Sequence, residues 1–168
     1  MNIEIDGVQF QYATRFIQSK KDPTYTIADD GTLEANEMTF SPACVNGAYE
    51  TSVILHQTKD EIPWQEGASV FKALGPNGEV GKVPAFAVSV KCDDVEKVGL
   101  SIQVDPMPEQ GLPHHANIVS WNPNRISCDA ARLSANAEVA PNPNRVEEIN
   151  QRIVAKLRER GIEVKKGD

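Results

Sequence analysis

Two of the chain's three histidines, His114 and His115, stand side by side. Imidazole titrates near neutral pH, so either ring could serve as a base, an acid or a metal ligand. The pair follows Val104-Asp105-Pro106-Met107-Pro108-Glu109-Gln110-Gly111-Leu112-Pro113 and precedes Ala116-Asn117-Ile118-Val119-Ser120-Trp121. Proline fixes φ and pushes the residue before it toward extended backbone, so residues 105–113 are expected to form a stiff, extended connection. Neighbouring side chains in extended backbone point to opposite faces. The two rings are therefore not expected to clamp one ion; one should face a cleft and the other solvent or core. The structural alternative for both is an imidazole that only makes hydrogen bonds.

His56 ends the apolar run Thr51-Ser52-Val53-Ile54-Leu55-His56 and could meet Asp105 as a histidine–carboxylate pair. The alternative is an exposed strand end. His114, His56, Asp105 and Trp121 are candidate binding residues. Arg15, Ser52 and His115 are the candidate catalytic set, with Arg15 on an anion, Ser52 positioning substrate and His115 as acid or base.

Cys44, Cys92 and Cys128 are widely spaced, odd in number and form no C-x-x-C, which argues against a disulfide framework or a cysteine zinc site. Cys128 starts a helical pattern, where a thiol is activated, although free cysteines usually pack as small apolar groups. Gly75-Pro76-Asn77-Gly78-Glu79-Val80-Gly81 lacks the Lys-Ser/Thr ending of a phosphate loop and reads as a long turn. G-x-S-x-G and H-E-x-x-H are missing too. No cofactor and no metal are expected.

The elements that would position these groups follow from patterning. Alternation about Asp6-Gly7 predicts a hairpin over residues 3–12, its second strand running on through Arg15 and Phe16. Residues 19–31 read as loop and residues 32–40 as a weak strand ended by Ser41-Pro42. Asn46-Gly47 marks a turn, and residues 51–56 a central strand. A helix is expected over residues 60–74, with Pro63 in its first turn and Trp64, Ala68, Phe71 and Leu74 on one face, weakened by Gly67. Strands follow at residues 83–90, 100–104 and 116–121, with a short helical turn at 92–98. Asn122-Pro123-Asn124-Arg125 recurs as Asn142-Pro143-Asn144-Arg145, each ahead of a helical run, 127–136 and 145–160. This is helix-start chemistry used twice. The last helix carries the stripe Val146, Ile149, Ile153, Leu157 and a Gly161 cap, with an edge strand expected at 162–164.

Strands outnumber helices without alternating with them. The fold class is therefore α+β: a single domain over residues 1–168 with a mixed, largely antiparallel sheet packed by two or three helices. A length of 168 residues suits one domain that needs no staples. The net charge of −7 disfavours general nucleic-acid binding, and the basic cluster over residues 156–166 is interleaved with Glu159 and Glu163 as a solvated face. The start of the chain has no signal-peptide pattern and no run has membrane-span length, so a cytoplasmic location without membrane contact is expected.

In their order and spacing, Arg15-Phe16, Phe40-Ser41-Pro42, Ser52-Val53, Ala85-Phe86-Ala87-Val88-Ser89-Val90, Val98-Gly99-Leu100, Asp105-Pro106-Met107-Pro108 and His115-Ala116-Asn117-Ile118 resemble a loose group of small bacterial cytosolic proteins. The match spans residues 15–120, outside the first hairpin and the last helix. It implies a bacterial cytosolic protein and transfers no activity. Three functions remain open. The first is a binding or accessory protein with a protein partner, a component of a multi-protein or defence-type system, docking through the striped terminal helix. The second is a small transferase acting on a nucleotide or its adduct through Arg15, Ser52 and His115. The third is a metal-dependent hydrolase using His56, Asp105 and His114.

Overall fold

The computed structural model describes residues 3–18, 24–74 and 84–164. Strands β1 (Ile3–Ile5) and β2 (Val8–Phe10) form the first hairpin. Its turn residues Asp6 and Gly7 sit at φ 51° and 79°, the paired positive values that a right-twisted two-residue loop demands. The second strand does not run on. It ends at Phe10, and β3 (Tyr12–Ile17) begins in a different sheet.

Residues 25–40 depart from expectation. β4 (Tyr25–Ile27) lies within the supposed loop and pairs with β5 (Leu33–Ala35). The weak strand over residues 32–40 splits because Asn36 starts a helix. Its side chain accepts from Met38 N at 2.9 Å while Thr39 Oγ1 accepts from Asn36 N, and α1 (Glu37–Phe40) follows. β6 (Ala43–Val45) and β7 (Ala48–His56) join through Asn46 and Gly47, at φ 49° and 82°.

α2 (Trp64–Leu74) comes next, and residues 75–81, expected as a turn, lie outside the described residues. β8 (Phe86–Lys91), α3 (Cys92–Lys97) and β9 (Ser101–Val104) follow. The proline-rich stretch is compact rather than extended. Pro108 begins a 3-10 turn over Pro108–Gln110, Gly111 turns left-handed at φ 75°, and Met107 bridges Leu112. Proline suits a first helical position as well as an extended one. β10 (His115–Val119), α4 (Ile126–Ala135), β11 (Glu138–Pro141) and α5 (Val146–Glu159) complete the chain.

The main sheet runs β11-β8-β3-β7-β10-β9, with β6 also on β7, and its strand pairs are antiparallel. Among the described residues five helices accompany it in one α+β domain. β11 was unforeseen; among the described residues it pairs only with β8, and a sheet edge tolerates Pro141. Register divides the side chains. Ala13, Val53, Leu55, Val88, Val90, Ala116 and Ile118 share one face and bury in the main core with Phe40, Leu133, Ile149 and Leu157. The opposite face carries Thr14, Phe16, Ser52, Ile54, His56, Ala87, Ser89 and His115. Phe16, Ile54, Ala87 and Leu112 make a smaller core there, against Trp64, Val70 and Phe71 of α2. Gly67 explains how closely α2 sits: a Cβ on it would lie 2.6 Å from the Phe16 ring.

The repeated Asn-Pro-Asn-Arg motif does the same work twice. Asn122 Oδ1 accepts from Asn124 N and Asn142 Oδ1 from Asn144 N, each at 3.0 Å, ahead of α4 and α5. In α5, Ile149 and Leu157 are buried and Ile153 packs on the same core. Gly161, at φ 75°, lets Ile162 N reach Leu157 O at 3.0 Å. Residues 162–164 are not a strand; Ile162 and Val164 pack against the core instead.

Candidate functional site

A cavity of about 380 Å³ opens between the first hairpin and the end of β7. Ile5, Val8 and Phe10 give it an apolar wall, while Asp6, His56, Glu61, Glu66 and His114 bring polar groups to it. Pro113 lines it too, so the rigid backbone before the double histidine presents His114 to the space. On α2, Glu66 Oε1 accepts a short hydrogen bond from His114 Nδ1. The His114 ring lies 5.1 Å from the Phe10 ring, and its side chain is 38% exposed. Glu66 Oε2 is buried without a hydrogen-bond partner. When Nδ1 carries the proton shared with Glu66, the neutral ring has its lone pair on Nε2. A carboxylate-oriented imidazole of this kind can take a proton from a bound molecule. The described lining has three carboxylates and neither lysine nor arginine, so the cavity favours cationic or neutral groups over anions.

His115 is 4% exposed and has wholly different partners. Its Nε2 lies 2.6 Å from Ser52 Oγ, and its Nδ1 lies 2.9 Å from Asp105 O and 3.5 Å from Asp105 Oδ2. A carbonyl can only accept, so Nδ1 donates and Nε2 accepts from the serine. His56 follows the same logic. Its Nδ1 donates to Thr58 O at 2.8 Å, its Nε2 accepts from Thr14 Oγ1 at 2.5 Å, and Ser89 Oγ lies 2.7 Å from Thr14 Oγ1. Burial pushes the His56 pKa below its ordinary value, against the opposing pull of the Thr58 carbonyl and Glu61.

Ser52 and His115 thus meet, although 63 residues separate them. Arg15 belongs by register to the main-core face, beside Val88. Its Nη1 donates to the backbone O of Ser52 at 3.0 Å. The β3 pairing on β7 ends at Ile54 and the β6 pairing at Glu50, and the guanidinium caps a carbonyl between them. Burial lowers its pKa, yet a guanidinium keeps its charge. Trp121 is 7% exposed in the main core, its Nε1 donating to Ile118 O at 3.0 Å. Cys44 and Cys128 are exposed, whereas burial, aided by Asp93, pushes the Cys92 thiol up to about 12.

Among the described residues no cluster of three or more His, Cys, Asp or Glu could hold a metal ion. His56 and His115 already use both ring nitrogens. Among the described residues no helix is long and apolar enough to cross a membrane. Glu66 was not foreseen; it sits 48 residues from His114, inside an amphipathic helix, where an acidic residue reads as solvated. Comparison with protein families, with curated proteins and with solved structures found no match to this chain.

Proposed function

We propose that the chain is a small-molecule-binding protein whose cavity takes a neutral or cationic organic ligand, with His114 accepting a proton from that ligand. The observation that carries this reading is the His114–Glu66 pair on the wall of an otherwise partly apolar 380 Å³ cavity. Ligand sites combine such an apolar body with a few placed polar groups. Glu66 orients the ring; Ile5, Val8 and Phe10 receive the apolar part of the ligand. An anionic nucleotide is a poor fit, because the described lining offers Asp6, Glu61 and Glu66 and no cation. Docking through the stripe of α5 has little support, since Ile149, Ile153 and Leu157 are already spent on the chain's own core.

Three aromatic probes of matched shape test the reading: benzylamine, benzyl alcohol and benzoate at millimolar concentration, followed by calorimetry. Binding of the amine and the alcohol but not the acid is expected, with loss of at least tenfold in amine affinity in Glu66→Gln (about 1.4 kcal/mol). Preferential binding of benzoate, or no heat from any probe, would overturn it.

A further inference from the structure

We propose that Ser52 is an activated nucleophile, independent of the cavity, that takes an acyl or phosphoryl group from a small electrophilic ester. Neither Ser52 nor His115 lines the 380 Å³ cavity, so this is a second site. Three observations carry it. The first is hydrogen-bond direction. His115 Nδ1 donates to Asp105 O at 2.9 Å, with Asp105 Oδ2 at 3.5 Å, and this leaves Nε2 to accept the Ser52 proton over 2.6 Å. That is the arrangement in which an imidazole removes a serine proton as the oxygen attacks.

The second observation is rigidity with access. The imidazole is 4% exposed, so packing holds its orientation while the Asp105 carbonyl fixes its tautomer, and Ser52 itself is only half-buried. The third is the neighbourhood. Register sets Asn117 beside Ser52 and Gln103 beside Asn117 on the same sheet face. Two carboxamides in a row provide N–H donors for an oxyanion formed at Ser52. Thr14 and His56 supply an internal contrast. They share the same hydroxyl-to-imidazole direction, but Thr14 is 0% exposed and out of reach of any electrophile.

In the reaction, Ser52 Oγ bonds to the acyl carbon as its proton passes to His115 Nε2. The ester C–O bond breaks, and the departing alkoxide takes that proton and leaves as an alcohol. Water then cleaves the acyl-serine with His115 as base, which releases the acid and restores the serine.

The test uses the full chain and diisopropyl fluorophosphate. An Oγ–P bond forms, the P–F bond breaks, fluoride leaves, and the serine proton goes to His115. Intact mass and peptide mapping should find one adduct, on Ser52, absent in Ser52→Ala. His115→Gln should slow labelling by about a hundredfold or more, the ordinary worth of a general base. Asp105→Asn, which keeps the backbone carbonyl, should slow it less at an unchanged unfolding midpoint. If His115→Gln does not fold, Ser52→Ala and Asp105→Asn decide the matter alone. Labelling elsewhere but not at Ser52, no labelling, or labelling equal in wild type and Asp105→Asn with folded His115→Gln also equal would overturn the proposal.

Discussion

His114 and His115 are one peptide bond apart and live in opposite chemical worlds. One ring is 38% exposed, tied to a carboxylate on α2 and turned to a cavity. The other is 4% exposed and satisfied at both nitrogens by Ser52 and Asp105. The difference comes from the backbone: His114 ends the turn before β10, beside the first hairpin and α2, whereas His115 opens β10 and faces Ser52 of β7. A doubled histidine in sequence is therefore two sites, and each must be judged by what lies across the sheet from it.

The contrast should appear first in stability. His115→Ala leaves the Ser52 hydroxyl and the Asp105 carbonyl without their partner and opens a hole, so a loss of about 3 kcal/mol is expected from urea unfolding. His114→Ala should cost less, about 1–2 kcal/mol, because the ring is partly exposed although its loss leaves the largely buried Glu66 carboxylate without its partner. Equal losses would erase the distinction between the two rings.

Gly67→Ala sharpens the comparison from the other side. Its Cβ would meet the Phe16 ring at 2.6 Å, so α2 must lift from the sheet. Overpacking outweighs the better helix propensity, for a net loss of about 1–2 kcal/mol. Glu66, the preceding residue, would move with the helix, so benzylamine affinity should fall while labelling of Ser52 persists. Unchanged stability would mean that the close approach of helix and sheet is mistaken.

The thiols repeat the buried-against-exposed contrast. Iodoacetamide at mildly alkaline pH should modify Cys44 and Cys128 in the native chain and spare Cys92, whose thiol is held up at about 12 by burial. Mass spectrometry before and after unfolding reads this directly; native alkylation of Cys92 would contradict it.

The smallest effect is on pH dependence. His56 has a folded pKa below its ordinary 6.5, so on acidification the unfolded chain takes up a proton before the native one does. Stability therefore falls as pH drops from about 6.5 toward the depressed value, and is fully present above that window. Replacing His56 with Gln should flatten the unfolding midpoint across this range. A midpoint rising on acidification in the wild type would reverse the assignment.

Local chemistry was legible in the sequence. Asp6-Gly7 and Asn46-Gly47 made their hairpins, Gly161 capped its helix, and both Asn-Pro-Asn-Arg motifs made the same turn. The antiparallel α+β class followed from strands that do not alternate with helices. Where two local rules competed, the sequence misled. Asn36 ended an apparent strand, Pro108 began a tight turn instead of an extended crossing, and Pro141 hid an edge strand. Partnerships across the sheet were the least visible. Ser52 and His115 each stood out, but only register brings them to 2.6 Å, and Glu66 reaches His114 only because Gly67 lets α2 press on Phe16.

Histidine-selective NMR during a benzylamine titration tests the central claim most directly. The His114 ring should shift saturably while the His115 ring stays still, and Glu66→Gln should abolish the response. Movement of His115 with His114 unaffected, or silence from both, would contradict the assignment of the cavity as the ligand site.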